Sequence, residues 1–177
     1  MRRLVTALTL SLTAAGTLAG APAAGAARCA GADVAPAELG QAATVRTTLC
    51  LLNAERTRRG LRALRADARL RRVAGRHAGD MVARRYFAHD TKAGVSFVTR
   101  IKRTGWTKAR QRWVVGENIG YGEGDFATPR EMVKGWMHSR DHRANILARA
   151  FKVIGVGVAD GAPTGDAGAT YATDFGG

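Results

Sequence analysis

The stretch FKVIGVGVADGAPTGDAGATYATDF, residues 151–175, decides the fold class. Its two ends, 151–160 and 169–175, are rich in β-branched and aromatic residues, and the turn-forming run GAPTGDAG separates them. This pattern predicts a pair of antiparallel strands late in the chain. An earlier run, RWVVGENIGYG at 112–122, predicts a further strand that leads into a glycine-rich turn.

Apolar residues at helical spacing predict helices before and between these strands. A stripe that begins at Leu70 follows the capping residue Asp67, and Thr128 followed by Pro129 marks another helix start. The predicted helices cover about 42–59, 67–87, 96–103, a segment from 128 onward, and 141–149. Helices flanking a small antiparallel sheet indicate an α+β fold, not a βαβ repeat.

The N-terminal residues predict export. Arg2 and Arg3 precede an uncharged apolar run at 4–18, and the small residues Ala-Gly-Ala at 24–26 suit signal peptidase. The apolar run is shorter than the roughly 20 residues that a membrane-spanning helix needs. We therefore expect 1–26 to be a cleaved signal peptide and the protein to be secreted, not an integral membrane protein.

The chain has two cysteines, Cys29 and Cys50. An even cysteine count in an exported chain predicts a disulfide, and only one intrachain pairing exists. That bond would hold a leader segment, 27–47, against a main domain at 48–175, and closing a loop of about 20 residues is worth roughly 3 kcal/mol.

The chain of 177 residues is strongly basic, with 28 Lys and Arg against 14 Asp and Glu. Its formal charge of +14 falls to +12 once Arg2 and Arg3 are removed with the signal. Such a charge suits cell-envelope polyanions or anionic lipid as contacts. Export argues against nucleic acid as a partner, and a monomer is the default expectation.

The sequence lacks G-x-S-x-G, H-E-x-x-H, C-x-x-C and Walker motifs. Three polar residues stand where predicted elements end or bend: His89, Glu117 and His142. Two imidazoles and a carboxylate can hold a divalent metal such as zinc with one open position, or act as an acid–base set. From spacing alone, the simpler interpretation is that each is a structural hydrogen-bonding group.

The other histidines and one glutamate receive structural interpretations. His138 and His142 are four residues apart, a spacing that can grip zinc on one continuous helix, but Ser139-Arg140-Asp141 between them suggests a helix break. His77 falls on the apolar stripe, so we expect it to be buried by packing. Glu131 is best explained as a capping-box acid.

Five motifs then occur in a characteristic order. They are N-x-E-R at 53–56, F-x-H at 87–89, G-E-N-I at 116–119, W-M-x-S-x-x-H-R-x-N-I-L at 136–147 and I-G-V-G at 154–157. In this combination, the chain resembles the bacterial branch of the CAP superfamily over 48–175. The superfamily comprises cysteine-rich secretory, antigen 5 and pathogenesis-related 1 proteins, and its domain is also called SCP.

The resemblance implies a three-layer α-β-α sandwich around a three-stranded antiparallel sheet. It also implies a cleft with a His/Glu cluster that binds divalent metal, often zinc, in some members. His89 matches the first His, Glu117 the Glu of G-E-N, and His142 the His of the bacterial S-x-x-H-R motif.

The chain departs from the eukaryotic pattern in two places. Ser139 stands where eukaryotic members have a second Glu, and their G-H-Y-T strand motif is missing, so the four-residue cluster is incomplete. Asp141 adds a carboxylate beside His142, which either tightens a metal site or caps the following helix. We favour the cap.

These observations support three functional hypotheses. The first is a secreted, non-catalytic binding module for a lipid, glycan or protein ligand, with a cleft that can bind metal. The second is a metal-assisted hydrolase with Glu117 as general base and His89 and His142 as ligands or acid–base partners. The third is a cationic binder of cell-envelope polyanions.

Overall fold

Helices come first along the chain and the long strands come late. The computed structural model describes residues 29–108 and 110–177, so the predicted signal peptide lies outside the described residues. The elements are α1 Pro36–Leu39, α2 Gln41–Thr57, β1 Arg65–Ala66, α3 Ala68–Ala83, α4 Phe97–Arg103, β2 Val115–Glu123, a 3₁₀ turn Gly124–Ala127, α5 Pro129–His138, α6 Arg140–Leu147, β3 Val153–Asp160 and β4 Gly168–Gly176.

The strands form one sheet in the order β1-β3-β4-β2. β3 and β2 both pair antiparallel with β4, which confirms the antiparallel pair expected at the end of the chain and the α+β class. The two residues of β1 add a fourth, parallel strand beside β3, which the resemblance did not imply.

Helices cover both faces of this sheet, as expected for an α-β-α sandwich. On one face, α2, α5 and α6 bury a large apolar cluster against β3 and β4, whose members include Leu52, Trp136, Ile146, Ile154, Val158, Tyr171 and Phe175. On the other face, α3 packs Ala74, Ala78 and Met81 against Ile119 and Ala172. The two faces therefore differ in how closely a helix approaches.

The close approach of α3 depends on the glycines of the I-G-V-G motif. A Cβ atom at Gly155 would overlap the backbone of Leu70 and Arg71, and one at Gly157 would overlap the backbone of Ala74 and Gly75. The helix backbone thus lies directly on β3, with no side chain between them. These two positions require glycine because of contact, not because of a special φ angle.

The sequence predicted that α3 extends to about Phe87, but the helix ends at Ala83. Arg85 adopts a left-handed conformation with φ of 51°. Its N–H donates to the carbonyl of Val82, and the N–H of Tyr86 donates to that of Met81. This is the Schellman pattern that ends a helix, and arginine occupies the position where glycine is usual.

The disulfide between Cys29 and Cys50 is present, as predicted. It joins the start of the described chain to the middle of α2. Because α2 runs without a break from Gln41 to Thr57, the predicted boundary between leader and main domain falls inside one helix, and that division stays a prediction. No helix within residues 29–108 and 110–177 is long and apolar enough to cross a membrane.

Strand β2 forms one edge of the sheet, and side chains cover its middle. Trp136 Nε1 donates to the carbonyl of Ile119 over 3.0 Å, and Asn145 Nδ2 donates to the carbonyl of Glu117 over 3.2 Å. Asn118 Nδ2 in turn donates to the carbonyl of His142 over 3.0 Å. These bonds fix α5 and α6 beside the strand that carries Glu117.

Exchanging Gly157 for alanine should destabilise the domain by about 1–3 kcal/mol or more, because the added methyl overlaps helix backbone that cannot move aside. The matched control is Gly79→Ala in α3, where a Cβ would meet nothing within 4 Å. That control should be neutral or gain about 0.5–1 kcal/mol from helix propensity. Urea unfolding measures both, and equal stability of the two variants would contradict the close-contact account.

Candidate functional site

Glu117 lies in β2 on the sheet face that α3 covers, and its side chain is fully buried. Both carboxylate oxygens have a partner. His89 Nδ1 lies 2.9 Å from Oε1, and Arg100 Nη2 donates to Oε2 over 2.5 Å. The structure therefore brings His89 and Glu117 into contact, as the resemblance implied, and adds an arginine that the sequence analysis did not single out.

Arg100 comes from α4 and connects three segments. Besides Glu117, its Nη1 donates to the carbonyl of His89 over 2.7 Å and to that of Val95 over 3.0 Å. Only 11% of its side chain is exposed, so the ion pair with Glu117 is shielded from water. Removing one partner of such a pair leaves a buried charge, which typically costs about 3–5 kcal/mol.

Asp174 lies directly opposite Glu117 in the register of β2 and β4. Its side chain is buried, and no described donor reaches either carboxyl oxygen. Burial first, and then the negative charge of Glu117, raise the pKa of this carboxyl well above its ordinary value. A proton on Asp174 leaves the two carboxyl groups with one negative charge, which Arg100 balances.

His77 lies on the inner face of α3 and is almost fully buried, which confirms the packing role expected from its place on the apolar stripe. Burial lowers the pKa of its imidazole. Its Nε2–H donates to the carbonyl of Ala88 over 3.0 Å. The neutral ring therefore fixes the loop that leads to His89.

His142 lies in α6, half-buried, and its ring forms no hydrogen bond to a described residue. Burial first, and then the nearby His89, lower the pKa of its imidazole. The two histidines are thus close enough to influence each other, while only His89 contacts Glu117. Among the three predicted site residues, only His89 and Glu117 are joined by a hydrogen bond, while the backbone of His142 is bonded to Asn118 of β2.

The residues around the α5–α6 junction have local roles. α5 ends at His138 and α6 begins at Arg140, so the predicted helix break is present and the two histidines lie on different helices. Thr128 accepts from the N–H of Glu131, as a cap should, but the carboxylate of Glu131 pairs with Lys134. Asp141 is exposed in the first turn of α6 and makes no capping bond, although its charge favours that helix end.

The arrangement observed here does not fit a divalent cation. A metal would have to displace the Arg100 guanidinium from Oε2 and the His89 ring from Oε1 of Glu117. In the part of the chain that the structure describes, no group of three His, Cys, Asp or Glu side chains is placed to hold a metal ion. The resemblance implied metal binding by His89, Glu117 and His142, whereas the occupied oxygens of Glu117 lead us to expect none, and a zinc titration decides between the two.

An exposed pair of aromatic rings includes a residue that is close to His89 in the chain. Phe87 lies two residues before His89, and its ring meets that of Tyr121 edge to face at 5.1 Å between centroids. Both side chains remain over 40% exposed. The ring of Phe97 lies 6.4 Å from that of His89, measured between centroids. The half-exposed imidazole of His89 thus lies near the ring of Phe97, and the exposed Phe87–Tyr121 pair begins two residues before it in the chain.

Sequence reasoning missed Arg100, Asp174 and the Phe87–Tyr121 pair. An aspartate within the apolar run ATYATDF was the available signal, since a charge is unusual in a buried strand. Arg100 gave no signal, because many arginines occur in the predicted helices and nothing in the sequence distinguishes this one. The aromatic pair required knowledge of which loop lies beside β2.

Asp174→Asn should stabilise the domain at neutral pH, because the neutral amide avoids the cost of ionising a buried carboxyl group. The folded-state pKa of Asp174 is raised, so the folded protein retains a proton that the unfolded chain releases above its ordinary pKa near 4. The stability of the natural chain should therefore fall as pH rises above this value, and the asparagine variant should escape that loss.

Urea unfolding at pH 4.5 and pH 7.5 tests this expectation, and the exposed Asp166→Asn serves as control. The advantage of Asp174→Asn should grow between the two pH values, whereas the control should show no such trend. An advantage that is independent of pH, or a destabilised variant at pH 7.5, would contradict a protonated Asp174.

Comparison with known proteins places these features in a family. The family described as "CAP: Cysteine-rich secretory protein family" matches residues 49–173. The uncharacterized protein YkwD of Bacillus subtilis is 39% identical over 107 residues, which is 60% of this chain and 39% of YkwD. The uncharacterized membrane protein YlbC of the same organism is 32% identical over 118 residues, 67% of this chain and 32% of YlbC. The chain thus spans about a third to two fifths of these relatives.

Two solved structures have the same architecture. An extracellular protein of Bacillus anthracis that contains an SCP domain superposes with a TM-score of 0.64 at 28% identity, over 76% of this chain and 40% of that one. A cysteine-rich secretory protein of Staphylococcus aureus superposes with a TM-score of 0.57 at 15% identity, over 76% and 38% of the two chains, and supports the fold alone. With its matched domain, fold and motif residues, this chain belongs to the CAP family of cysteine-rich secretory proteins.

Proposed function

We propose that the chain is a secreted binding module that holds its ligand at the surface formed by Phe87, His89 and Tyr121. The observation that carries this proposal is the state of Glu117. Both of its oxygens are already bonded, and its side chain has no exposed surface. What remains accessible to a ligand is half of the His89 side chain and the two aromatic rings.

The same observation argues against the hydrolase alternative. A general base must lie within hydrogen-bond reach of the proton that it removes. Glu117 is fully buried and both of its oxygens already contact His89 and Arg100, so no substrate proton comes within reach of it in this arrangement. We therefore assign Glu117 a positioning role: it orients the His89 ring toward solvent.

The chemistry of the surface favours a glycan among the ligand classes considered. A sugar ring has an apolar face that can lie on an aromatic ring, and its hydroxyls can bond with an imidazole at the rim. Phe87 and Tyr121 meet at 73° between ring planes and supply such a face. The nitrogen of His89 that does not contact Glu117 supplies the polar contact.

Secretion is supported by three independent features. The predicted signal peptide occupies 1–26, Cys29 and Cys50 form a disulfide, and the Bacillus anthracis relative is an extracellular protein. Disulfides persist in oxidising, extracytoplasmic compartments. A glycan of the cell envelope is therefore available where we expect the protein to act.

The direct test is isothermal titration calorimetry of the mature chain with an N-acetylglucosamine hexasaccharide. The Phe87→Ala/Tyr121→Ala variant should bind at least about tenfold more weakly, because two aromatic contacts are lost. The matched control is Phe126→Ala, since Phe126 is 72% exposed and belongs to neither ring pair beside His89.

Equal affinity of the natural chain and the double aromatic variant would reject the proposed surface. Equal losses in the double variant and in Phe126→Ala would reject it as well. Retained thermal stability of each variant shows that a loss of binding does not come from unfolding.

Zinc titration addresses the metal prediction separately. Because Arg100 and His89 occupy the oxygens of Glu117, we expect no saturable zinc binding that depends on this cluster. Calorimetry should give the same result for the natural chain, His89→Ala and His142→Ala. Saturable zinc binding that both substitutions abolish would restore the metal site.

A further inference from the structure

A pocket of about 560 Å³ lies on the α2/α6 side of the molecule and is lined by five cations. Its lining comes from two loops, 60–65 after α2 and 149–152 after α6. Arg62, Arg65, Arg149 and Lys152 are exposed around it, and the buried Arg56 of α2 completes its lining. No acidic residue lines this pocket.

The four exposed cations lack compensating charges. Within the described part of the chain, none of them forms an ion pair, although eight other pairs form elsewhere and use arginines such as Arg58 and Arg130. Like charges held together around a concave surface repel one another and concentrate positive potential there. An anion in the pocket would relieve that repulsion.

Arg56 strengthens this potential from below. It is only 2% exposed, and its guanidinium donates to the carbonyls of Arg62, Ile146 and Ala148 rather than to a carboxylate. Carbonyl dipoles satisfy its hydrogen bonds without cancelling its charge. The same bonds hold the two loops together, so the pocket is built around a fixed cation.

We infer that this pocket binds the phosphate groups of a soluble polyanion, with Arg62, Arg65, Arg149 and Lys152 as the contacting residues. The planar guanidinium of arginine can donate two hydrogen bonds to the oxygens of one phosphate. Four cations in one pocket therefore suit a polymer that carries several phosphates better than a single ion. The site is separate from the aromatic surface around His89, so it gives the module a second ligand.

The test uses inorganic tripolyphosphate as the probe and the mature chain as the protein. Calorimetry at low ionic strength should show saturable binding to the natural chain, and this binding should weaken steeply as salt is raised. Arg149→Gln/Lys152→Gln should reduce the affinity at least about tenfold, because two charged contacts are lost.

A charge-matched control separates the pocket from net charge. Lys92→Gln/Arg112→Gln also removes one lysine and one arginine, both exposed and outside the pocket, and should change the affinity by less than about threefold because only distant, screened charges are lost. A second control is Arg72→Gln/Arg103→Gln, which removes cations from a different basic pocket between α3 and α4. Circular dichroism melting confirms that each variant is folded.

Equal losses in the two charge-matched variants would overturn the inference, as would a loss confined to Arg72→Gln/Arg103→Gln. Absence of tripolyphosphate binding to the natural chain would also overturn the inference. If phosphatidylglycerol vesicles bind in that case, the pocket's partner is a membrane surface and not a soluble polyanion. Hexasaccharide binding should be unchanged in Arg149→Gln/Lys152→Gln, so failure here and failure of the glycan proposal are distinguishable.

Discussion

The domain depends on backbone contact between helix α3 and strand β3. Gly155 and Gly157 leave no side chain between them, and so the helix seals one face of the sheet more tightly than bulky side chains would allow. Glu117, Asp174 and Gly155 are neighbours across three strands on that sealed face. Two carboxyl groups are consequently held away from water, and the cation of Arg100 is what makes their burial tolerable.

Most motif residues of this family serve the scaffold in this chain. Asn53 bonds reciprocally with the backbone of Leu64, and Arg56 fastens α2 to the loops after α6. Trp136 and Asn145 cover the carbonyls of β2. Among the three predicted site residues, His89 alone combines a bond inside the cluster with a half-exposed ring. Because most of the motif residues make structural contacts, the accessible part of the site is small.

Periodicity and turn residues were sufficient for the fold class, the two C-terminal strands and nearly all helices, because local patterns determine these features. The end of α3 could not be predicted, since Arg85 adopts a conformation that is typical of glycine. The contacts within the site could not be predicted for a different reason. Asp174 meets Glu117 only through strand register, and Arg100 reaches it only because α4 folds back over β2, neither of which is encoded in residue spacing.

The covered edge of β2 has a consequence for how this protein meets others. Exposed strand edges are common places for peptides and neighbouring chains to add a strand. Here the carbonyls of Glu117 and Ile119 are already bonded to Asn145 and Trp136, so an incoming strand would first have to detach α5 and α6. Recognition at this edge must then rely on side chains and loops, which can vary between relatives while β2 stays closed to β-augmentation.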